Sequence, residues 1–184
     1  MSKAYIFLAE GFEEVEALSV VDILRRGKVS LEMVAIGDTP FVTGSHGIGV
    51  KADCVFADRD YEDADLCILP GGMPGTKHLG EYAPLTALLK KKAAEQVRIG
   101  AICAAPSVLG DLGLLNGKNA TCYPGFEPRL QGAECKLDEV VVSGNITTSR
   151  GMGTAIAFGL ELLSQLEGKE CSDQIAASIL YRIS

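Results

Sequence analysis

Cys103 is the residue of this sequence whose type and position best suit covalent chemistry. It ends an apolar run at residues 97–102, and a segment typical of a helix start follows at once. The end of a parallel strand lies at the sheet edge where open α/β sheets bind ligands, and a helix N-terminus stabilises an anion. Ala101 and Ala105 are small enough for a sharp strand-to-helix turn. We therefore predict a reactive thiol of lowered pKa, with an inert, buried strand-end cysteine as the alternative.

Two glycines follow a second apolar run. Gly71 and Gly72 come after residues 66–69 and Pro70. Backbone without side chains approaches a ligand closely, and its N–H groups can stabilise a developing oxyanion. An ordinary Pro-Gly-Gly turn is the alternative. Because Gly72 and Cys103 both follow parallel strands, we expect them at the same edge of the sheet.

Glu16 and Arg150 are charged residues in positions that need an explanation. Glu16 aligns at helical spacing with Val20 and Ile23, so its carboxyl borders the apolar stripe. Burial there would raise its pKa and let it donate a hydrogen bond to a neighbouring anion, whereas the alternative is a solvent-facing carboxylate. Arg150 is predicted at a helix start, where the helix dipole disfavours a cation. Either an anion pocket, an acidic neighbour or a simple surface position would account for it.

The elements that must position these residues alternate along the chain. Short apolar runs separated by amphipathic segments predict one α/β domain over residues 1–184, with a mainly parallel sheet. A glycine-rich stretch at residues 40–51 predicts a hairpin outside that sheet, and residues 120–149 hold several β-like pieces. The predicted strands cover residues 4–9, 31–36, 66–69 and 97–102, and the predicted helices cover residues 13–26, 84–96, 105–112, 151–166 and 172–180.

Composition excludes several classes of function. A net charge of −7 and a pI near 4.9 argue against nucleic acid or an anionic membrane as a partner. The longest apolar run near the N-terminus, residues 5–9, is far below the ~20 residues that span a bilayer, and we expect a cytoplasmic protein. With two histidines and no C-x-x-C pair, neither a zinc site nor a disulfide framework is expected. The six cysteines are Cys54, Cys67, Cys103, Cys122, Cys135 and Cys171.

Four segments, taken in order, resemble the ThiJ/PfpI superfamily, in the branch of the Parkinson's-disease-associated protein deglycase and its bacterial relatives. They are residues 11–16 (GFEEVE), 69–72 (LPGG), 101–106 (AICAAP) and 148–151 (TSRG). The resemblance implies a flavodoxin-like three-layer α/β sandwich with a mainly parallel central sheet, usually a homodimer. It also implies that Cys103 is the nucleophile, that Glu16 is its carboxyl partner, and that the N–H groups of Gly72 and Ala104 form an oxyanion site.

The sequence departs from the family pattern at two places. Tyr123 stands before Pro124 where the family often has histidine, and His46 replaces an arginine of the hairpin. We therefore take His46, Tyr123 and Arg150 as candidates for the substrate pocket. The protease-like branch has histidine directly after its cysteine, whereas Ala104 follows Cys103 here, so we discount peptidase activity.

The resemblance implies a cysteine-dependent enzyme that uses no cofactor or metal and acts on reactive carbonyls. Its substrate would be a small dicarbonyl or a glycated protein, as for a glyoxalase or protein deglycase. The alternative is a non-enzymatic redox sensor or chaperone that works through oxidation of Cys103. In the expected homodimer, residues 13–26 and the hairpin lie at a two-fold interface, with His46 near the partner's Cys103.

Overall fold

The structure, a computed structural model, describes residues 1–182. In that range the chain alternates between strands and helices. The strands are β1 (Lys3–Leu8), β2 (Ser30–Ala35), β3 (Phe41–Thr43), β4 (Gly49–Lys51), β5 (Cys54–Val55), β6 (Leu66–Leu69), β7 (Arg98–Ile102), β8 (Asn119–Ala120), β9 (Glu134–Cys135), β10 (Val140–Ser143) and β11 (Ile146–Ser149). The helices are α1 (Glu14–Arg26), α2 (Gly75–Glu81), α3 (Ala83–Ala94), α4 (Pro106–Asp111), α5 (Ala155–Glu167) and α6 (Lys169–Ser178).

The central sheet has seven strands in the order β10-β11-β7-β6-β1-β2-β5. Its pairs are parallel except at one edge, where β10 runs antiparallel to β11. Leu69 pairs with Ala101, so the segments after β6 and β7 leave the sheet side by side. The predicted mainly parallel α/β fold is confirmed. The predicted hairpin is β3 and β4, an antiparallel pair outside the central sheet.

Alternating side chains of β1 build a core on each face of the sheet. Ile6 and Leu8 pack in the cluster that holds the apolar residues of α1 and α5, whereas Tyr5 and Phe7 pack in the cluster that holds those of α3 and α4. All four side chains are almost fully buried. Each contributes about 1.5–3 kcal/mol by leaving water. Helices therefore cover both faces, which is the expected three-layer arrangement.

The boundaries of α1 follow from its sequence. Glu13 is the N-cap, and its carboxylate accepts the backbone N–H of Glu16 at 2.6 Å. Arg25 and Arg26 occupy the last turn, where the helix dipole favours cations, and Gly27 ends the helix. A Cβ on Gly27 would lie 2.3 Å from Leu163 Cδ1, so this glycine allows α5 to pack closely against the end of α1.

Three helices differ from the prediction. The sequence pattern missed α2, because two of its seven residues are glycine and its helix propensity is low. Tertiary packing stabilises it instead, since Leu79 is fully buried. The helix predicted over residues 151–166 begins at Ala155, after a 3₁₀ turn at Met152–Thr154. The last helix is Lys169–Ser178 instead of residues 172–180.

Candidate active site

Cys103 lies in the turn that connects β7 to α4. Its φ of 66° is in the left-handed region, which is costly for a residue with a side chain. Two backbone hydrogen bonds fix this conformation: the N–H of Cys103 donates to the Ser149 carbonyl at 3.0 Å, and the N–H of Tyr123 donates to the Cys103 carbonyl at 2.8 Å. The predicted sharp turn is therefore present, and it holds the thiol at the carboxyl edge of the sheet.

Glu16 reaches this edge from the first turn of α1. Its side chain is buried, as the prediction required, and only 1% of the residue is exposed. The backbone N–H of Gly71 donates to Glu16 Oε2 at 2.9 Å, and the Cys103 thiol hydrogen-bonds to the same carboxyl group. The two candidate catalytic side chains are thus in direct contact.

Gly71 makes this contact possible. A Cβ at Gly71 would lie 2.5 Å from Cys103 Cβ and 2.6 Å from Glu16 Oε2, closer than real side chains approach. Its carbonyl also accepts the N–H of Glu13 at 2.9 Å, which ties the start of α1 to the end of β6. The sequence pattern predicted the turn but indicated no separate role for Gly71 or Glu13. The acid at the N-cap position was the one signal for Glu13.

The predicted pKa shift is found for Glu16 but not for Cys103. Burial raises the pKa of Glu16 to about 7, against the hydrogen bonds from Cys103 and Gly71, and this prediction is confirmed. The predicted lowering of the Cys103 pKa is wrong: burial, followed by the charge and hydrogen bond of Glu16, raises it to about 12. The helix that was expected to lower it, α4, has only six residues.

Two backbone N–H groups act in the opposite direction on the sulfur. Those of Gly72 and Ala104 hydrogen-bond to Cys103 and favour its thiolate. They are the groups predicted to form the oxyanion site. Moving the proton from Cys103 to Glu16 would turn the carboxylate into a third donor to the sulfur. The site is therefore arranged for one proton shared between two acids.

Tyr123 and Arg150 lie together at a groove beside this pair, which also includes Gly151. The Tyr123 side chain is half-exposed, and its ring lies 3.3 Å from the position a Cβ would take on Gly151. Arg150 is in a loop, not at a helix start as predicted. Its guanidinium donates to the carbonyl of Leu137 at 3.1 Å, an exposed contact with a backbone oxygen. Of the three alternatives for Arg150, this contact does not supply the acidic neighbour.

His46 contacts a different carboxylate of α1. Its Nδ1 lies 2.8 Å from Glu14 Oε2, and its backbone N–H donates to Glu14 Oε1 at 2.8 Å. The hydrogen bond to Glu14 raises the pKa of His46. Burial opposes ionisation of Glu14, but the hydrogen bonds from His46 and Ile48 lower its pKa to about 2. His46 thus connects the hairpin to α1 within its own chain.

A candidate metal-binding cluster includes this histidine. Within residues 1–182, Glu13, Glu14 and His46 each offer one ligand atom, and the three atoms lie within 4.8 Å of one another. The Glu14 oxygens are already occupied by the donors of His46, and Glu13 accepts the N–H of Glu16. These hydrogen bonds account for the cluster, and the expectation of a metal-independent site stays a prediction.

Comparison with known proteins gives the family. The model of the DJ-1/PfpI family matches residues 2–165. The chain belongs to the DJ-1/PfpI family. In solved structures, Toxoplasma gondii DJ-1, in its oxidised form, superposes with a TM-score of 0.96 at 38% identity, covering 100% of both chains. The flavodoxin-like architecture expected from the resemblance is thereby confirmed.

Curated members of the DJ-1/PfpI family differ in length. Protein DJ-1 homolog B of Arabidopsis thaliana is 37% identical over 98% of this chain, but the chain spans only 42% of that relative. The glutathione-independent glyoxalase DJR-1.2 of Caenorhabditis elegans is 33% identical, with 90% of this chain and 89% of the relative covered. None of the helices in residues 1–182 has the length and apolar character needed to cross a bilayer.

Proposed function

We propose that this protein is a cofactor-independent, cysteine-dependent enzyme that converts small reactive dicarbonyls to hydroxy acids, as a glyoxalase or deglycase does. The observation that carries the proposal is the contact between Cys103 and the buried Glu16, whose pKa is raised to about 7. A nucleophile beside an acid that titrates near neutral pH is the arrangement that combined covalent and acid–base catalysis requires. A relative with 33% identity carries the name glutathione-independent glyoxalase.

The reaction begins when the Cys103 sulfur adds to the aldehyde carbon of the dicarbonyl. The thiol proton passes through Glu16 to the carbonyl oxygen, which gives a hemithioacetal, and the N–H groups of Gly72 and Ala104 stabilise the developing oxyanion. Glu16 as carboxylate then removes the proton from this carbon and returns it to the adjacent carbon. The hydroxyl proton of the hemithioacetal passes to the oxygen of the adjacent carbon, so that a thioester with a neighbouring hydroxyl group forms. Water cleaves the thioester, releasing the hydroxy acid and the thiol.

This mechanism needs one proton on the pair. Below the Glu16 pKa of about 7 a second proton binds, and neither a thiolate nor a carboxylate base is available. Turnover should therefore rise with pH through about 7. Glu16→Gln should remove this limb of the pH profile because an amide does not titrate.

Purified protein, free of metal and glutathione, should turn over glyoxal and methylglyoxal. Glu16→Gln should lower kcat/KM by roughly 10²-fold while Cys103 stays open to alkylation, because proton transfer is lost but the thiol remains. Cys103→Ser should abolish both. Glu170→Gln and Cys135→Ser, at exposed positions, are the matched controls and should keep full activity. Undiminished turnover by Glu16→Gln with the same pH profile would reassign the proton transfer to Tyr123 or His46.

One observation favours a second candidate function, a redox sensor or chaperone. A protonated Glu16 and the N–H groups of Gly72 and Ala104 are three donors that could stabilise the oxygens of an oxidised Cys103. Treatment with mild peroxide followed by peptide mass mapping separates the two functions. Selective oxidation of Cys103 without carbonyl turnover would favour the sensor, whereas earlier oxidation of the exposed Cys135 would argue against it.

The enzyme is proposed to act as a homodimer in the cytoplasm, whose reducing conditions keep the thiol free. Val15 and Leu18 on α1 and Ile48 on the hairpin expose large apolar side chains on the two elements that the resemblance places at the interface. A second copy would cover them. Light scattering at micromolar concentration should give twice the chain mass of 19.4 kDa, and a monomeric mass would exclude this assembly.

A further inference from the structure

Gly151 occupies the space between the Tyr123 ring and the Glu16 carboxyl group. A Cβ on Gly151 would lie 3.3 Å from Tyr123 Cδ2 and 3.9 Å from Glu16 Oε1. The φ of Gly151 is 165°, an extended conformation that any residue adopts. The backbone therefore does not require glycine here, and the chain keeps open a small space that a side chain would fill.

The two oxygens of Glu16 have different surroundings. Oε2 accepts the N–H of Gly71 and is fixed beside Cys103, whereas Oε1 is the oxygen nearest to the Gly151 space. In the proposed reaction Glu16 delivers a proton to the second carbon of the dicarbonyl, the one next to the carbon that Cys103 attacks. Because Oε2 is held by Gly71, we take Oε1 as the oxygen that delivers it, and the substituent on the second carbon then lies near Oε1. The space in front of Gly151 is thus placed to hold the substituent on that second carbon.

We propose that Gly151 determines substrate specificity, by leaving room beneath Tyr123 for the second substituent of a dicarbonyl. This inference rests on the proposed function. The Tyr123 ring forms the outer wall of the space, and because its side chain is half-exposed it can accommodate a flat group by stacking. The preferred substrates are then α-oxoaldehydes with a carbon substituent over unsubstituted glyoxal. The first carbon of the substituent would occupy this space, and an aryl group would extend from it along the Tyr123 ring into the groove that Tyr123 and Gly151 line.

The decisive experiment compares phenylglyoxal with glyoxal in matched variants. Gly151→Ala should lower the ratio of their kcat/KM values by roughly 10-fold or more, since single carbon atoms in a pocket discriminate by roughly 10–200-fold. Gly37→Ala is the control, because it lies outside the groove that Tyr123 and Gly151 line and no heavy atom lies within 4 Å of its Cβ position. It should leave the ratio unchanged. An equal loss for both substrates, or no change in the ratio, would overturn the proposal.

A rescue variant tests whether Tyr123 is the other wall. Tyr123→Ala combined with Gly151→Ala should return the ratio to that of Tyr123→Ala alone, because without the ring the added methyl group no longer closes the space. Failure of the double variant to reach that ratio would show that the alanine acts by distorting the loop.

A thiol readout keeps the test independent of turnover. Cys103 should react with iodoacetamide and with its N-phenyl derivative, and Gly151→Ala should slow the phenyl reagent by roughly 10-fold relative to the small one. If the protein turns over no dicarbonyl but shows this selectivity between the two reagents, the proposed function is wrong. The space at Gly151 would still be supported. Equal slowing of both reagents would contradict the space itself.

Discussion

Glu14 and Glu16 lie two residues apart on α1, and both are buried, yet their pKa values are shifted in opposite directions. Glu14 is 3% exposed and has a pKa of about 2, whereas Glu16 is 1% exposed and has a pKa of about 7. Both belong to the acidic motif of residues 11–16, but only Glu16 was predicted to be buried, from its alignment with the apolar stripe. Burial is common to the two, so it does not decide their chemistry.

The number of hydrogen-bond donors to each carboxyl group explains the difference in pKa. Glu14 receives the backbone N–H groups of His46 and Ile48 as well as the ring of His46, and these favour its ionised form. Glu16 receives the N–H of Gly71 and the weakly acidic thiol of Cys103. A buried carboxyl with many donors is a structural anchor, whereas one with few donors keeps a proton that can be exchanged near neutral pH.

The largest effect is expected from Gly71→Ala, which disturbs the Glu16 side of the comparison alone. The new Cβ would displace both Cys103 and Glu16, and displacements of about 1 Å cost roughly 10²-fold in turnover. Gly37→Ala, where no heavy atom lies within 4 Å, is the control. Steady-state kinetics with methylglyoxal measure the effect. Full activity of Gly71→Ala would show that the close contact is dispensable.

An intermediate effect is expected from Glu14→Gln. The amide cannot accept all the hydrogen bonds of the carboxylate, so the free energy of unfolding at pH 7 should fall by about 1–3 kcal/mol. Because the folded-state pKa lies below the usual value of 4.5, this stability is present above pH 4.5 and is lost as pH falls towards 2. Denaturant unfolding at pH 7 and pH 3 should show the difference shrinking, while Glu170→Gln stays near wild type.

The smallest effect, of opposite sign, is expected from Glu16→Gln. The folded-state pKa of Glu16 is raised from 4.5 to about 7, so its ionisation destabilises the fold increasingly between these values and fully above pH 7. Replacing it should raise the free energy of unfolding at pH 8 by about 1 kcal/mol, below the ~3 kcal/mol that the shift sets as a ceiling. No gain should appear below pH 4.5. Destabilisation at pH 8 comparable with Glu14→Gln would remove the distinction between the two carboxyl groups.

The sequence was sufficient for the fold and for the central pair. Apolar runs with turn residues between them predicted the parallel sheet, and the spacing of Glu16 with Val20 and Ile23 predicted a buried carboxyl. The pKa of Cys103 was mispredicted, because the effect of a short helix was weighed without the burial of the thiol and the nearby charge of Glu16. The role of Gly71 was missed for a related reason: contacts between residues 16, 71 and 103 depend on how far apart their elements pack, which local patterns do not encode.

The strand order has a consequence for synthesis on the ribosome. The backbone of Cys103 is held by Ser149, at the end of β11, and β7 pairs with that strand. A nascent chain that has not yet extended past β11 cannot close this turn, although β1, α1 and β6 have already emerged. Until then the backbone of Cys103 lacks the hydrogen bond to Ser149 that fixes its conformation. The turn that holds Cys103 beside Glu16 thus closes only after translation has passed residue 149, which makes folding of β11 the step that completes the site.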